Sequence, residues 1–167
     1  MKRPPPSLQA RALGWLAQRE HSRIELRRKL LRAAQAQPDA EAAEDAAPQV
    51  ERLLDALQAQ GLLSDERFID SRLRVRAPGT GTRRIQMELA RHGLKLPLQP
   101  LQQLRDSELQ RATRLWQRRF GTPAADAKER ARQQRFLAGR GFDGEVIRRV
   151  LGAAGRAPDE GADGEAA

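Results

Sequence analysis

The side chains of this chain best equipped for chemistry are its arginines. Of 31 basic residues only four are lysines (Lys2, Lys29, Lys95 and Lys128), and the arginines fall in groups. Arg23, Arg27, Arg28 and Arg32 recur at helical spacing. Arg72, Arg74, Arg76, Arg83 and Arg84 flank a loop rich in Gly and Thr. Arg111, Arg114, Arg118 and Arg119 form a third group, and Arg130, Arg132, Arg135 and Arg140 a fourth. A guanidinium is planar, permanently charged and presents forked N–H pairs to phosphate or carboxylate. The chemistry this implies is recognition of a polyanion or of an acidic protein groove, not bond making. A basic helix face is usually only a solvated face. Recurrence at equivalent places favours binding, with Arg23, Arg27, Arg28, Arg32, Arg72, Arg76, Arg83, Arg84, Arg118, Arg119, Arg132 and Arg135 as the candidate contacts.

Catalysis has little to draw on. The two histidines, His21 and His92, have no Ser or acid at a motif spacing, and no H-E-x-x-H occurs. With no Cys, thiolate nucleophiles, thiolate zinc sites and disulfides are excluded. The expectation is therefore no catalytic residue, no metal and no cofactor. Gly79-Thr80-Gly81-Thr82 ahead of Arg83 and Arg84 could offer helix-start N–H groups to a phosphate, although no Gly-Lys-Ser/Thr follows it. A turn followed by a cap is the simpler reading of the same residues. Glu25 with Lys29, and Glu66 and Asp70 near Arg74, read as surface pairs worth a few tenths of a kcal/mol.

These side chains must be carried by helices. No segment alternates with period two, whereas apolar residues recur at helical spacing throughout. A pattern recurs about three times: HSRIELRRKLLRA from His21, GTRRIQMELARHGL from Gly81 and ERARQQRFLAGRGF from Glu129. In the last two, Leu89 and Leu137 each precede a Gly by four residues, and Leu94 or Phe142 follows; the first has Leu30 and then Ala34. Repetition of this kind predicts small stacked helical units, none able to bury its apolar face alone. Nine helices are predicted. Ser22 caps the second, Ser64 or Asp65 the fourth, and Thr122-Pro123 marks the start of the eighth. Val50, Leu53, Leu54 and Leu57 form the clearest stripe, and Leu98, Leu101 and Leu104 a shorter one. Trp15, Trp116 and the four Phe fit the apolar stripes and read as core, not as base-stacking platforms. The predicted organisation is a flexible tail over 1–6, repeats over 7–60, 61–104 and 105–152, and a disordered acidic tail over 153–167.

Charge is unevenly placed. Residues 35–48 hold Asp39, Glu41, Glu44 and Asp45 with no base, and read as an acidic linker inside the first repeat. Residues 157–167 hold Asp159, Glu160, Asp163 and Glu165, again with no base. The other 14 acids face 31 bases, so the helical body is far more cationic than the net +9 suggests. Such a body attracts polyanions over a screening length of ~8 Å at physiological salt. Lys2 and Arg3 are followed by Pro4, Pro5 and Pro6 with no apolar run, so no secretory signal and no membrane span are expected.

Four phrases together, REHSRIELRRKLL, GLLSDERF, GTGTRRIQMELARHG and FLAGRGFDGEVIRRVL, resemble the RecX family in the right order over about residues 8–152. The resemblance implies an all-α fold of three tandem three-helix repeats in an elongated, curved array. It also implies a cytoplasmic, non-enzymatic regulator of the RecA recombinase, tied to DNA repair, recombination and the SOS response. Such a protein lies in the groove of the RecA filament on single-stranded DNA and limits filament growth, ATP hydrolysis and strand exchange. One departure is the acidic stretch at 35–48, where family members often have a short Gly-containing turn. The residues alone leave two other readings: a sequence-tolerant nucleic-acid-binding helical protein acting on DNA or RNA, and an assembly adaptor with no nucleic acid.

After Leu151 no apolar residue is larger than Ala, so the acidic stretch cannot join a core. Deleting residues 157–167 is expected to leave the melting temperature unchanged in a calorimetric scan. A fall of several degrees would show that the stretch packs on the body.

Overall fold

The computed structural model describes residues 6–36 and 46–155. Among them the chain is all-α, a helical-repeat array with no strand. In chain order the helices are α1 (Leu8–Gln18), α2 (Arg23–Gln35), α3 (Ala46–Ala59), α4 (Asp65–Arg76), α5 (Thr82–Arg91), α6 (Leu98–Asp106), α7 (Glu108–Arg119), α8 (Ala127–Gly139) and α9 (Gly144–Ala154). A 3-10 turn, Ala77–Gly79, follows α4. The predicted tails over 1–5 and 156–167, and residues 37–45 of the predicted linker, lie outside the described residues. The ends of that linker are helical: Gln35 closes α2 and Ala46 opens α3.

Local chemistry explains most helix starts. Ser7 caps α1 through the Ala10 N–H at 3.2 Å, and Ser22 caps α2 through Glu25 at 3.2 Å. Ser64 accepts from Arg67 at the start of α4, and Asp143 from Glu145 ahead of α9. The predicted start of α8 at Thr122-Pro123 is wrong. Asp126 is the cap, accepting the Glu129 N–H at 2.7 Å, and the helix begins at Ala127. Asp126 can close a ring onto a free N–H three residues on, while Thr122 gives its carbonyl to the Gln133 amide.

The chain packs as two compact units, one of residues up to Arg74 together with 88–95, the other of 75–87 together with the residues from Leu96. Helix α5 contributes to both. The first unit is centred on Leu26, Leu30, Val50, Leu54 and Leu57, closed by Leu8, Ala12 and Leu63. The second is centred on Ala112, Trp116, Leu137, Phe142, Ile147, Val150 and Leu151. Burial of each such Leu or Ile is worth about 1.5–3 kcal/mol, against about 1 kcal/mol for a typical cap. Leu98, predicted to serve an apolar stripe, is 81% exposed, because only Leu104 of α6 is buried.

Two glycines permit a close backbone crossing. The Gly81 N–H donates to Arg140 O at 2.9 Å, and a Cβ at Gly81 would lie 2.0 Å from Gly141 O. Gly141 ends the α8 segment at φ +81°, and a Cβ there would lie 2.9 Å from the Arg84 backbone nitrogen. No other residue fits either position. Gly14, within α1, has open space around it. Gly81→Ala and Gly141→Ala should each lower the melting temperature by several degrees, about 1–2 kcal/mol for the left-handed backbone of the second alone. Gly14→Ala should raise stability by about 0.5–1 kcal/mol. A Gly81→Ala protein as stable as wild type would contradict the crossing.

Candidate nucleic-acid interface

In the first unit, α2 carries the candidate arginines, and they divide by what they touch. Arg23 is tied down: its guanidinium lies 2.7 Å from Glu51 and 2.8 Å from Asp55, and it also bonds Gln58. Arg27 pairs with the same Glu51 carboxylate. Hydrogen bonds from Arg27 and then Arg23 hold Glu51 below the usual carboxylate range. Both arginines thus join α2 to α3. Arg28 and Arg32 are exposed and have no partner among the described residues. Arg72 lies 3.5 Å from Glu88 and its guanidinium sits 5.0 Å from the Phe68 ring centre. The expected Glu25–Lys29 pair does not form. Glu25 pairs with Arg19, while Lys29 bonds the His21 ring at 3.2 Å and lies over Trp15.

The histidines are structural. His21 is 1% exposed. Its Nδ1 lies 2.9 Å from Arg19 O, which can only accept, so Nδ1 carries the proton and Nε2 faces the Lys29 ammonium. The ring is neutral, and burial pushes its pKa down. His92 bonds the Ser22 hydroxyl at 2.8 Å and packs on Phe68, with ring centres 4.8 Å apart; burial lowers its pKa too. Together they fix the residues just ahead of α2 and hence the aim of its arginines.

In the second unit the Gly/Thr-rich loop is not an open phosphate site. The buried Glu108 carboxylate already occupies the start of α5, accepting the Thr82 N–H at 3.2 Å and the Thr82 hydroxyl at 2.7 Å. It also accepts the Asp143 N–H at 3.3 Å, ahead of α9. An internal acid thus satisfies the helix start, and the turn-and-cap reading holds. Arg111, expected on the basic surface, is instead 8% exposed. Its guanidinium donates to Ala77 O at 2.8 Å, to Thr80 O and to Leu104 O at 2.9 Å. A buried fork that meets three carbonyls is a structural cross-brace, and burial lowers its pKa against the opposing charge of Glu108. In the sequence Arg111 reads only as one of the third arginine group, and nothing there marks Glu108.

The other candidates in this unit lie at the surface. Arg76, Arg83, Arg118 and Arg135 are exposed. Among the described residues Arg83, Arg118 and Arg135 have no partner. Arg84 spans to Gly139 O at 2.5 Å and so caps the end of α8. Arg119 lies 6.0 Å and Arg132 5.7 Å from the Phe120 ring centre, and Arg132 also meets Glu129 at 3.1 Å. Gln133 fills a core position of α8 and is satisfied by the Trp116 indole N–H at 2.8 Å. Among the described residues no group of His, Asp or Glu could hold a metal ion, and no helix is long and apolar enough to cross a membrane.

The fold and surface define a basic, all-α helical-repeat protein whose exposed side chains suit recognition. The family described as "RecX, third three-helix domain" matches residues 106–151. Over 151 residues the chain is 48% identical to the regulatory protein RecX of Leptothrix cholodnii, covering 89% of this chain and 90% of that one. It is 43% identical over 163 residues to the regulatory protein RecX of Ralstonia pickettii, covering 96% of each. With that of Pseudomonas entomophila it shares 41% over 152 residues, 88% of this chain and 91% of the relative. The chain belongs to the RecX family.

Both histidines have folded-state pKa values below the free imidazole, so the unfolded chain takes up protons first as pH falls. Their contribution is full above about pH 6.5 and is lost as pH drops from there toward the folded pKa values, at up to about 1.4 kcal/mol per pH unit per proton. Melting temperature should therefore fall between pH 7 and pH 5, and the fall should be shallower in His21→Gln/His92→Gln. An equal slope in that variant would assign the acid sensitivity elsewhere.

Proposed function

We propose that this protein regulates the RecA recombinase, binding the RecA filament on single-stranded DNA and limiting its growth, ATP hydrolysis and strand exchange, with no catalysis of its own. The observation that carries this reading is identity of 41–48% over most of the chain to proteins named regulatory protein RecX. In this reading the repeats over 7–60, 61–104 and 105–152 are successive contact modules, and the setting is the bacterial cytoplasm.

The arginines take different parts. Arg28, Arg32, Arg83, Arg118 and Arg135, exposed and unpaired among the described residues, supply attraction to phosphate or to acidic filament surface. Arg76 and Arg119 extend that surface. Arg23, Arg27, Arg72, Arg84 and Arg132 already hold partners within the chain, so they shape the surface and contribute less charge to a ligand. This division matters because breaking an internal pair to bind a phosphate forfeits part of what is gained.

The test is a titration of the DNA-dependent ATPase of RecA. The protein should suppress it and show no ATPase or nuclease activity alone. Arg28→Glu/Arg32→Glu and Arg83→Glu/Arg118→Glu should weaken suppression while circular dichroism stays unchanged. Arg23→Glu should instead destabilise the fold, by setting an acid against Glu51 and Asp55. Added salt should also weaken suppression, by about 0.7 in logarithmic slope for each phosphate contact on single strands. RecA activity untouched by a large excess of folded protein would overturn the reading. Tight DNA binding without any effect on RecA would point to a nucleic-acid-binding protein acting alone.

A further inference from the structure

The four phenylalanines do not share one environment. Phe68 and Phe142 are buried, at 1% and 4% exposure. Phe120, just after α7, and Phe136, in α8, are only half-buried, at the rim of the second unit's core. Their rings meet edge to face, with centres 5.4 Å apart and planes at 89°. Exposed guanidinium groups lie over both rings. Arg132 is 5.7 Å and Arg119 6.0 Å from the centre of Phe120, and Arg140 is 5.3 Å from the centre of Phe136. Three guanidinium groups thus meet on one pair of rings.

This arrangement differs in kind from that of Arg28 or Arg118, which are lone charges on flexible stems. A guanidinium seated over an aromatic ring loses rotamer freedom before any ligand arrives, so less entropy is lost on binding. Arg119, Arg132 and Arg140 are exposed, so a second flat group or a phosphate can reach them from solvent. Arg132 spends one N–H on Glu129. An unstacked nucleobase has the shape and polarisability for the guanidinium plane, and its phosphate the charge for the edge. A duplex offers no such base, and an acidic peptide offers charge without a flat ring.

We propose that Arg119, Arg132 and Arg140, seated over Phe120 and Phe136, form a stacking platform for unpaired bases of single-stranded nucleic acid. This rests on the reading that the basic surface meets a DNA strand, and it names the part of the strand that this patch reads: bases, where the lone arginines read phosphates.

The experiment is fluorescence anisotropy of the full chain with three probes: an oligothymidylate, an abasic oligonucleotide with the same number of phosphates, and poly-glutamate. Wild type should bind the oligothymidylate more tightly than the abasic strand, by about fivefold to a hundredfold for each base stacked. Arg132→Lys/Arg140→Lys keeps the charge but removes the plane. It should bring oligothymidylate affinity down toward that of the abasic strand and leave abasic affinity unchanged. Phe120→Leu, checked for folding by circular dichroism, should act in the same direction, and Arg148→Lys should change nothing. Equal wild-type affinity for base-bearing and abasic strands would overturn the proposal, as would an unaffected Arg132→Lys/Arg140→Lys protein. Poly-glutamate bound as tightly as oligothymidylate would also overturn it, assigning the patch to an acidic protein. RecA ATPase measured on the same preparations separates the two levels. Suppression that persists when the proposal fails leaves the regulator reading standing, and absent suppression removes that reading whatever the oligonucleotides show.

Discussion

A short helix leaves N–H groups unpaired at its start, and once that start is buried something else in the chain must meet them. Much of this molecule is arranged around that demand. In the second unit Glu108 meets it, reaching both the start of α5 and the approach to α9. In the first unit Ser22 caps α2, and Asp65, the first residue of α4, accepts the Arg23 N–H at 3.4 Å. The two cases share a geometry: the opening acid of a later helix receives the first N–H of an earlier one. Arg111 completes the second, turning a buried carboxylate into part of a cross-braced loop. A buried acid with three donors and a counter-charge nearby is tolerable; the same acid alone would cost several kcal/mol.

That constraint also sorts the positive charge. A chain this rich in Arg must keep most of it in water, yet several arginines do structural work. Arg23 and Arg27 clamp α3 through Glu51, Arg84 caps the end of α8, and Arg111 is buried. In the proposed reading, what remains for a partner is a subset: the lone exposed arginines, and the free edges of those seated over half-buried rings. Binding capacity is thus not proportional to the number of basic residues. It depends on which guanidinium groups the fold has left unspent.

Much of the helical frame was legible from the chain alone. Leu26, Leu30, Val50, Leu54 and Leu57 are core because they recur every three or four residues, a period set by the helix itself. Ser22, Ser64 and Asp143 cap helices because a short polar side chain closes a ring onto a nearby N–H. The family was legible as well, because its phrases are local runs of sequence. Thr122-Pro123 misled because it carries the same local signal as a true start, and only its surroundings tell that its carbonyl is needed by Gln133.

The sequence by itself thus determined helix content, apolar faces, most caps and the excess of Arg, since each depends on residues within about one turn of one another. Tertiary structure decided which charges are free. The reach from Glu108 to Thr82, the fork of Arg111 onto Ala77, and the Gly81–Gly141 crossing each join residues more than 25 positions apart. No local pattern records such pairs, so an arginine facing water and an arginine bracing a loop look the same until the chain is folded. The Phe120–Phe136 pair is of the same sort: single residues of two separate apolar stripes in the sequence, a half-buried pair of rings under three guanidinium groups in space.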